Sequence, residues 1–315
     1  MTAMIDRLGS TRTASLVLAT ALILLFLAGC SSSRKTVSSS TVLLAADHNR
    51  RGILATARGD RDTAVSEFRT ALALNGSIEN NDGMAANLLN LARFHRQQGD
   101  PAQARAFIDR ALPLVTPSAP LCGDVAFEKA RVCQLSKDFP AAELWAQKAL
   151  EAAPEADRSS RLNLLGRVLS QRGNMVEAQK HAEAALKSAQ DEENREEEAN
   201  SLRLTGDIHA AARRFQAAMV AYEKGLAIDK ELGLGSKIAG DLTRLAGVAA
   251  GANDLNKALG FYERAAEVSL QGGNKQGAAG ALEQLAIIHE KLGRNDMAQA
   301  LRREREQLLH EQGEK

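Results

Sequence analysis

Residues 204–226 read LTGDIHAAARRFQAAMVAYEKGL. The stretch divides into two short helices around a tight turn. Small residues stand at Gly206 and Ala218, and rings at Phe215 and Tyr222. Gly225 falls where the second helix has to pass close to a neighbour. The pattern recurs along most of the chain. With Ala218 as the marker, equivalent alanines lie at Ala64, Ala104, Ala142, Ala178, Ala258 and Ala298, at intervals of 40, 38, 36, 40, 40 and 40 residues. Seven residues after the marker come Ala71, Ala111, Ala149, Ala185, Gly225 and Ala265. Twelve residues before it come Gly52, Ala92, Ala130, Gly166, Gly206, Ala246 and Ala286. Antiparallel helices pack about 8–10 Å apart, and the near end of that range needs small side chains at the crossing. Phe68, Ile108, Tyr222 and Tyr262 then fill the gaps. Pairs such as Gly59-Asp60, Gly99-Asp100, Gly173-Asn174 and Asn253-Asp254 supply a left-handed residue to end one helix and a cap to start the next.

A helix pair repeated at this spacing resembles the tetratricopeptide repeat family, over roughly residues 43–312 in seven copies. The usual period is about 34 residues, so a period near 40 resembles the longer-helix variety. The resemblance implies an all-α, right-handed α-solenoid of about seven helix pairs. The chain departs from the family at its first-helix tryptophan position, which holds Leu88, Leu162, Leu202, Leu242 and Leu282. The tyrosine position is histidine at His95, His209 and His289, and the closing proline survives as Pro154.

Composition agrees with such an array. Aromatic residues make up 3% of the chain, and formal net charge is +1. Without residues 1–29 the chain carries 38 basic and 38 acidic side chains. That balance argues against nucleic acid as a partner, since phosphate binding needs a basic surplus. Cys122 and Cys133, on one helix, would stand about 16 Å apart along its axis, too far for a disulfide. Both are expected free.

The N-terminus carries Arg7 and Arg12, then an apolar run of 14 residues from Ala14 to Leu27. A membrane span needs about 20, and the shape is that of a secretory signal. The run ends Leu27-Ala28-Gly29-Cys30, which resembles the bacterial lipoprotein signal. The resemblance implies cleavage of residues 1–29 and lipid on Cys30; an ordinary signal peptide followed by a chance Cys30 is the alternative. Ser31, where aspartate would mark inner-membrane retention, points by the same resemblance to the periplasmic face of the outer membrane, with the inner membrane left open. Residues 30–41 (CSSSRKTVSSST) cannot bury apolar surface and read as a flexible tether. The solenoid is expected over 42–315.

Helix pairs are expected at 42–74, 84–114, up to about 153, 157–187, 193–231, 236–270 and 275–312. Residues 75–83 (NGSIENNDG) and 116–123 read as loops between them. Pro101 and Pro140 open helices, and Ser159 or Ser160 caps the fourth pair. The acidic run 191–198 (DEENREEE) reads as a solvated helix start. Arg302 and Arg305 replace an aromatic and an alanine in the last helix, giving it the polar outer face that a terminal repeat needs.

In the family the first helices line a concave groove, and by that resemblance Ile53, Arg93, Arg131, Arg167, Asp207, Gly247 and Ile287 face it. Arg96, Asn163 and Arg203 lie one turn away on the same face. The set Arg93, Arg96, Arg131, Asn163, Arg167, Arg203 and Asp207 forms a candidate partner-binding stripe. Arginine forks grip carboxylates, which suits an acidic peptide or a free C-terminus. The family's carboxylate clamp of lysines and asparagines is not found, and the arginines can equally pair with acids of the chain or stand solvated. A second groove region, Gly240, Gly247, Ala250, Gly251 and Gly280, would admit a close backbone. No phosphate loop, His-Glu-x-x-His, Gly-x-Ser-x-Gly or Gly-x-Gly-x-x-Gly occurs. Neither enzymatic activity, a cofactor nor a metal is expected. The sequence therefore points to a lipid-anchored periplasmic scaffold for a protein or peptide, in envelope or pilus assembly. A self-assembling structural element without a peptide guest is the alternative.

Overall fold

The structure, a computed structural model, describes residues 39–310. Within these, seven antiparallel helix pairs follow one another. They are α1 (Ser39–Arg58) with α2 (Arg61–Ser77), α3 (Asn81–Gln97) with α4 (Pro101–Ala111), and α5 (Cys122–Leu135) with α6 (Phe139–Glu151). Then come α7 (Arg158–Gln171) with α8 (Met175–Asp191), α9 (Arg195–Ala211) with α10 (Phe215–Glu231), α11 (Gly235–Gly251) with α12 (Leu255–Gln271), and α13 (Lys275–Lys291) with α14 (Asn295–His310). Residues 1–29, Cys30 and most of the tether lie outside the described residues.

The marker alanines are the pivots of these pairs. Ala64, Ala104, Ala142, Ala178, Ala218, Ala258 and Ala298 are all 0% exposed. The leucines at the family's tryptophan position are buried as well. Two of the partner glycines are held by rings. A Cβ on Gly52 would lie 2.6 Å from the Phe68 ring, and one on Gly206 would strike the Tyr222 ring. Gly225 is different: a Cβ there would meet Ala199 O at 3.5 Å, an ordinary contact. The close pass expected at this glycine does not require it.

The joints follow one geometry. Gly59, Gly99 and Gly173 have φ of 76°, 76° and 84°, and Asn253 has 66°. Asp60, Asp100, Asn174 and Asp254 accept a backbone N–H from three residues on, as a cap should. The same left-handed turn recurs at Glu79, Lys137, Glu193 and Arg213, where no glycine announces it.

Several boundaries differ from expectation. α1 begins at Ser39, inside the expected tether. Residues 75–83 are not a loop: α2 runs to Ser77 and α3 starts at Asn81. Asn75 is buried there and its Nδ2 donates to Asn87 Oδ1 at 2.8 Å. α7 starts at Arg158 without a side-chain cap, and Ser159 lies inside it, its hydroxyl donating to Glu192 Oε2. The acidic run is only partly solvated. Glu192 and Glu197 reach back to Ser159 and Asn163 of α7, so the run stitches the fourth repeat to the fifth. Arg302 and Arg305 do not simply face water, because Arg302 pairs with Glu290 and Arg305 with Glu283 of α13.

Candidate functional site

The first helices touch one another in series, α1 to α3, α5, α7 and α9, while each second helix packs outside them. The inner wall therefore carries side chains that point into a common trough. Two pockets open along it. One, of about 750 Å3, lies over α5, α7 and α9 with Phe127, Arg131 and Leu164 in its lining. The other, of about 480 Å3, lies over α7, α9 and α11. Arg167, Gln171, Asn200 and Lys237 line both, so the two form one trough.

Five of the seven stripe residues have partners within the chain. Arg93 Nη2 donates to Asp124 Oδ2 at 3.3 Å. Arg96 Nε donates to Glu128 Oε1 at 2.5 Å, and Glu128 is fully buried. Asn163 is buried, its Nδ2 donating to Glu197 Oε2 at 2.8 Å. Arg203 is buried between Asp229 Oδ2 at 2.5 Å and Asp241 Oδ2 at 3.3 Å. Asp207 accepts from the Tyr222 hydroxyl at 2.6 Å and faces Arg244 Nε at 3.4 Å.

Arg131 and Arg167 remain. Among the described residues neither takes part in any of these hydrogen bonds or ion pairs. Arg131 is half-buried, its guanidinium carbon 5.6 Å from the centre of the Phe127 ring. Burial first, then the charge of Arg96, pushes its pKa down to about 10; Glu128 opposes this, and Arg167 and Arg93 add to it. Arg167 stands open to solvent yet deep between the trough walls, and this depth lowers its pKa against the opposing pull of Asp207. A guanidinium keeps its proton in proteins, so both are cations. For Arg131, half-buried and crowded by other cations, the charge is costly until an anion joins it.

Sequence reasoning missed the acids that engage the stripe: Asp124, Glu128, Asp229 and Asp241. It also missed Arg244 and Lys237, which line the second pocket. Some signal was available. Asp229 lies eleven residues after its marker, and Asp241 seventeen before the next. At three of the other five equivalent pairs the chain has Asn75 with Asn87, Ala189 with Ser201, and Ser269 with Ala281. All eight are buried, so charge at this register marks something other than solvation.

The remaining candidates have packing roles. His95 stacks on Phe107 with ring centres 5.3 Å apart, and burial lowers its pKa and that of His209. Cys122 and Cys133 are free. Lys148 sits over Trp145. In the second groove region, Gly251 faces Phe215 and Gly240 faces the Arg244 side chain, while Gly280 is open. Among the described residues no three His, Cys, Asp or Glu side chains are grouped to hold a metal ion. No helix there is long and apolar enough to cross a membrane.

A tetratricopeptide repeat model matches residues 42–116, 83–155 and 158–231, together more than half of the chain. No curated protein sequence matches. Among solved structures, a Rap protein complexed with Competence and Sporulation Factor superposes with a TM-score of 0.63, at 15% identity, covering 82% of this chain and 74% of that one. BtubC from P. vanneervenii gives 0.54 at 16% identity, covering 74% and 92%. PilW, a widely conserved type IV pilus biogenesis factor, gives 0.52 at 19% identity, covering 69% and 90%. At these identities the likeness is one of fold. With seven helix pairs pivoting on buried alanines and the family model matching along the array, the chain belongs to the tetratricopeptide repeat family.

Proposed function

We propose that the protein is an interaction scaffold that holds an acidic peptide, or an acidic segment of a partner protein, in its inner trough, and that Cys30 tethers it by lipid to the periplasmic face of the outer membrane. The observation that carries the groove reading is the pair Arg131 and Arg167: two arginines of adjacent repeats, in one trough, neither of them in a hydrogen bond or close ion pair among the described residues. Each guanidinium offers a planar fork that matches a carboxylate. First helices about 10 Å apart place the two forks roughly three residues apart along an extended peptide, at about 3.3 Å per residue. The lipoprotein-like end at Leu27–Cys30 supports the tether, and three acyl chains at about 0.8 kcal/mol per buried methylene would hold it firmly. A pilus or envelope-assembly setting accords with this anchor, and PilW shares the fold.

The test is a binding titration. A labelled peptide of alternating serine and glutamate with a free C-terminus should bind the wild type, and Arg131→Gln and Arg167→Gln should each weaken it about tenfold or more. The loss of a charge-assisted pair of hydrogen bonds, about 1.5–3 kcal/mol, sets that scale. Circular dichroism should be unchanged, because neither side chain holds the fold by an ion pair. Equal affinity in wild type and both variants would remove the trough from the reading.

A further inference from the structure

The floor of the second pocket holds an arrangement that a peptide groove does not need. Asp229 of α10 and Asp241 of α11 are both 0% exposed and converge on a single guanidinium, that of Arg203. Two carboxylates against one buried cation leave an uncompensated negative charge in a dry site. Asp229 Oδ1 and Asp241 Oδ1 have no hydrogen-bond partner. Such a pair holds a proton that a solvated carboxylate would have released. Burial accordingly raises the Asp241 pKa to about 6, with Arg203 opposing and Asp229 adding to the shift.

The nearest further cation is Arg244, one turn along α11. Its Nη1 lies 3.9 Å from Asp241 Oδ1 and its Nε 3.4 Å from Asp207 Oδ1. Among the described residues it makes no hydrogen bond. Both of its acids already have closer donors, Arg203 and Tyr222. Around Asp241 therefore stand Arg203 and Asp207 of α9, Asp229 and Tyr222 of α10, and Arg244 of α11, with Arg167 of α7 across the pocket. No residue of α12 enters these ion pairs. Arg244 and Arg167 both line the pocket.

We propose that the pocket over α7, α9 and α11 is a second anion subsite of the trough, formed by Arg167 and Arg244, and that proton uptake by the buried Asp229–Asp241 pair strengthens it for a carboxylate of the guest. With the pair doubly ionised, Arg244 is drawn to the floor of the pocket and the local potential is lowered by one charge. With a proton on the pair, the floor is neutral and Arg244 is left to the guest. By linkage, the guest carboxylate raises proton affinity in return. This inference rests on the groove reading above.

The experiment is the same serine–glutamate peptide, titrated against the full chain in detergent between pH 5.5 and 7.5. Its glutamates, with pKa near 4.3, stay ionised throughout. The wild type should bind about three- to tenfold more tightly at pH 5.5. Asp241→Asn, a neutral copy of the protonated acid, should bind tightly at both values, and Arg244→Gln weakly at both. Calorimetry in two buffers of different ionisation heat should show more proton uptake near pH 6.5 in the wild type than in Asp241→Asn. Burial lowers the pKa of His95, His181 and His209, and whatever they contribute is common to the wild type and Asp241→Asn. If Asp241→Asn does not fold, Asp229→Asn removes the same charge. A pH-independent wild type that still requires Arg131 overturns the proton linkage and leaves the groove standing. A pH dependence in Asp241→Asn equal to that of the wild type overturns it as well. No peptide binding at any pH fails the groove reading itself.

Discussion

Gly206 and Gly225 sit nineteen residues apart in the stretch that reveals the repeat, and only one of them is needed. Gly206 faces the ring of Tyr222, which enters the space a Cβ would take. Gly225 faces a carbonyl at ordinary contact distance, and its φ is helical. Gly206→Ala should therefore force the ring or the helix to shift and cost about 1–3 kcal/mol, the range for overpacking. Gly225→Ala should stabilise the protein by about 0.5–1 kcal/mol, the helix preference of alanine over glycine. Urea unfolding of the two variants measures both, and a shared sign would refute the distinction. Sequence alone showed that both positions are small. It did not show which was forced, because that depends on which side chain of the neighbouring helix faces each one.

At the scale of the element, the joints show what was legible and what was not. Gly-Asp and Gly-Asn joints were readable because glycine and a capping acid or amide each carry a local signal. Joints with Lys137 or Arg213 in the left-handed turn carry none at the first position. The segment 75–83 misled for a related reason. Its asparagines look like loop residues, yet Asn75 belongs to a buried amide chain. Asn80 Nδ2 donates to Asn75 Oδ1, Asn75 Nδ2 to Asn87 Oδ1, and Asn87 Nδ2 to Asn49 Oδ1. The chain ties α2 to α3 and both to α1. Asn75→Ala should strand the Asn87 carbonyl and cost about 1–3 kcal/mol. Asn75→Ala with Asn87→Ala should recover part of this, since Ala189 with Ser201 and Ser269 with Ala281 fill the same register elsewhere. A double variant no better than the single, by urea unfolding, would show that the amides do not act as a pair. The stripe was half legible for the converse reason. Arginines at one register were visible, but their acids lie 26 to 38 residues away, and only the stacking of repeats brings them together.

Over the described residues of the whole array, the apolar core falls into separate blocks. One block runs from Ala55 to Val125, a second from Ala130 to Ile208, and a third from Ala218 to Ile288, with a small fourth of Ala199, Leu202 and Ile228 between the last two. The first two meet inside α5, directly after the connection 115–121. There the ties on the inner wall are ionic. Asp124 of α5 accepts from Arg93 of α3 at 3.3 Å and from Arg161 of α7 at 2.5 Å, and Arg161 is buried. Asp124 thus joins three repeats where apolar packing changes hands. Solenoids unfold as a sum of units and interfaces, so a weakened interface should show as lost cooperativity rather than as a uniform drop. Asp124→Asn would leave Arg161 with Asp157 at 3.6 Å as its remaining ion pair. The expected cost is about 1–3 kcal/mol, taken mainly from the first block. Hydrogen exchange should then show α1 to α4 opening before α7 to α14, and urea unfolding should broaden into two steps. A single transition, merely shifted, would mean that contacts across α5 couple the blocks without Asp124. The ionic bridge would then serve to aim Arg93 along the trough rather than to hold the array together.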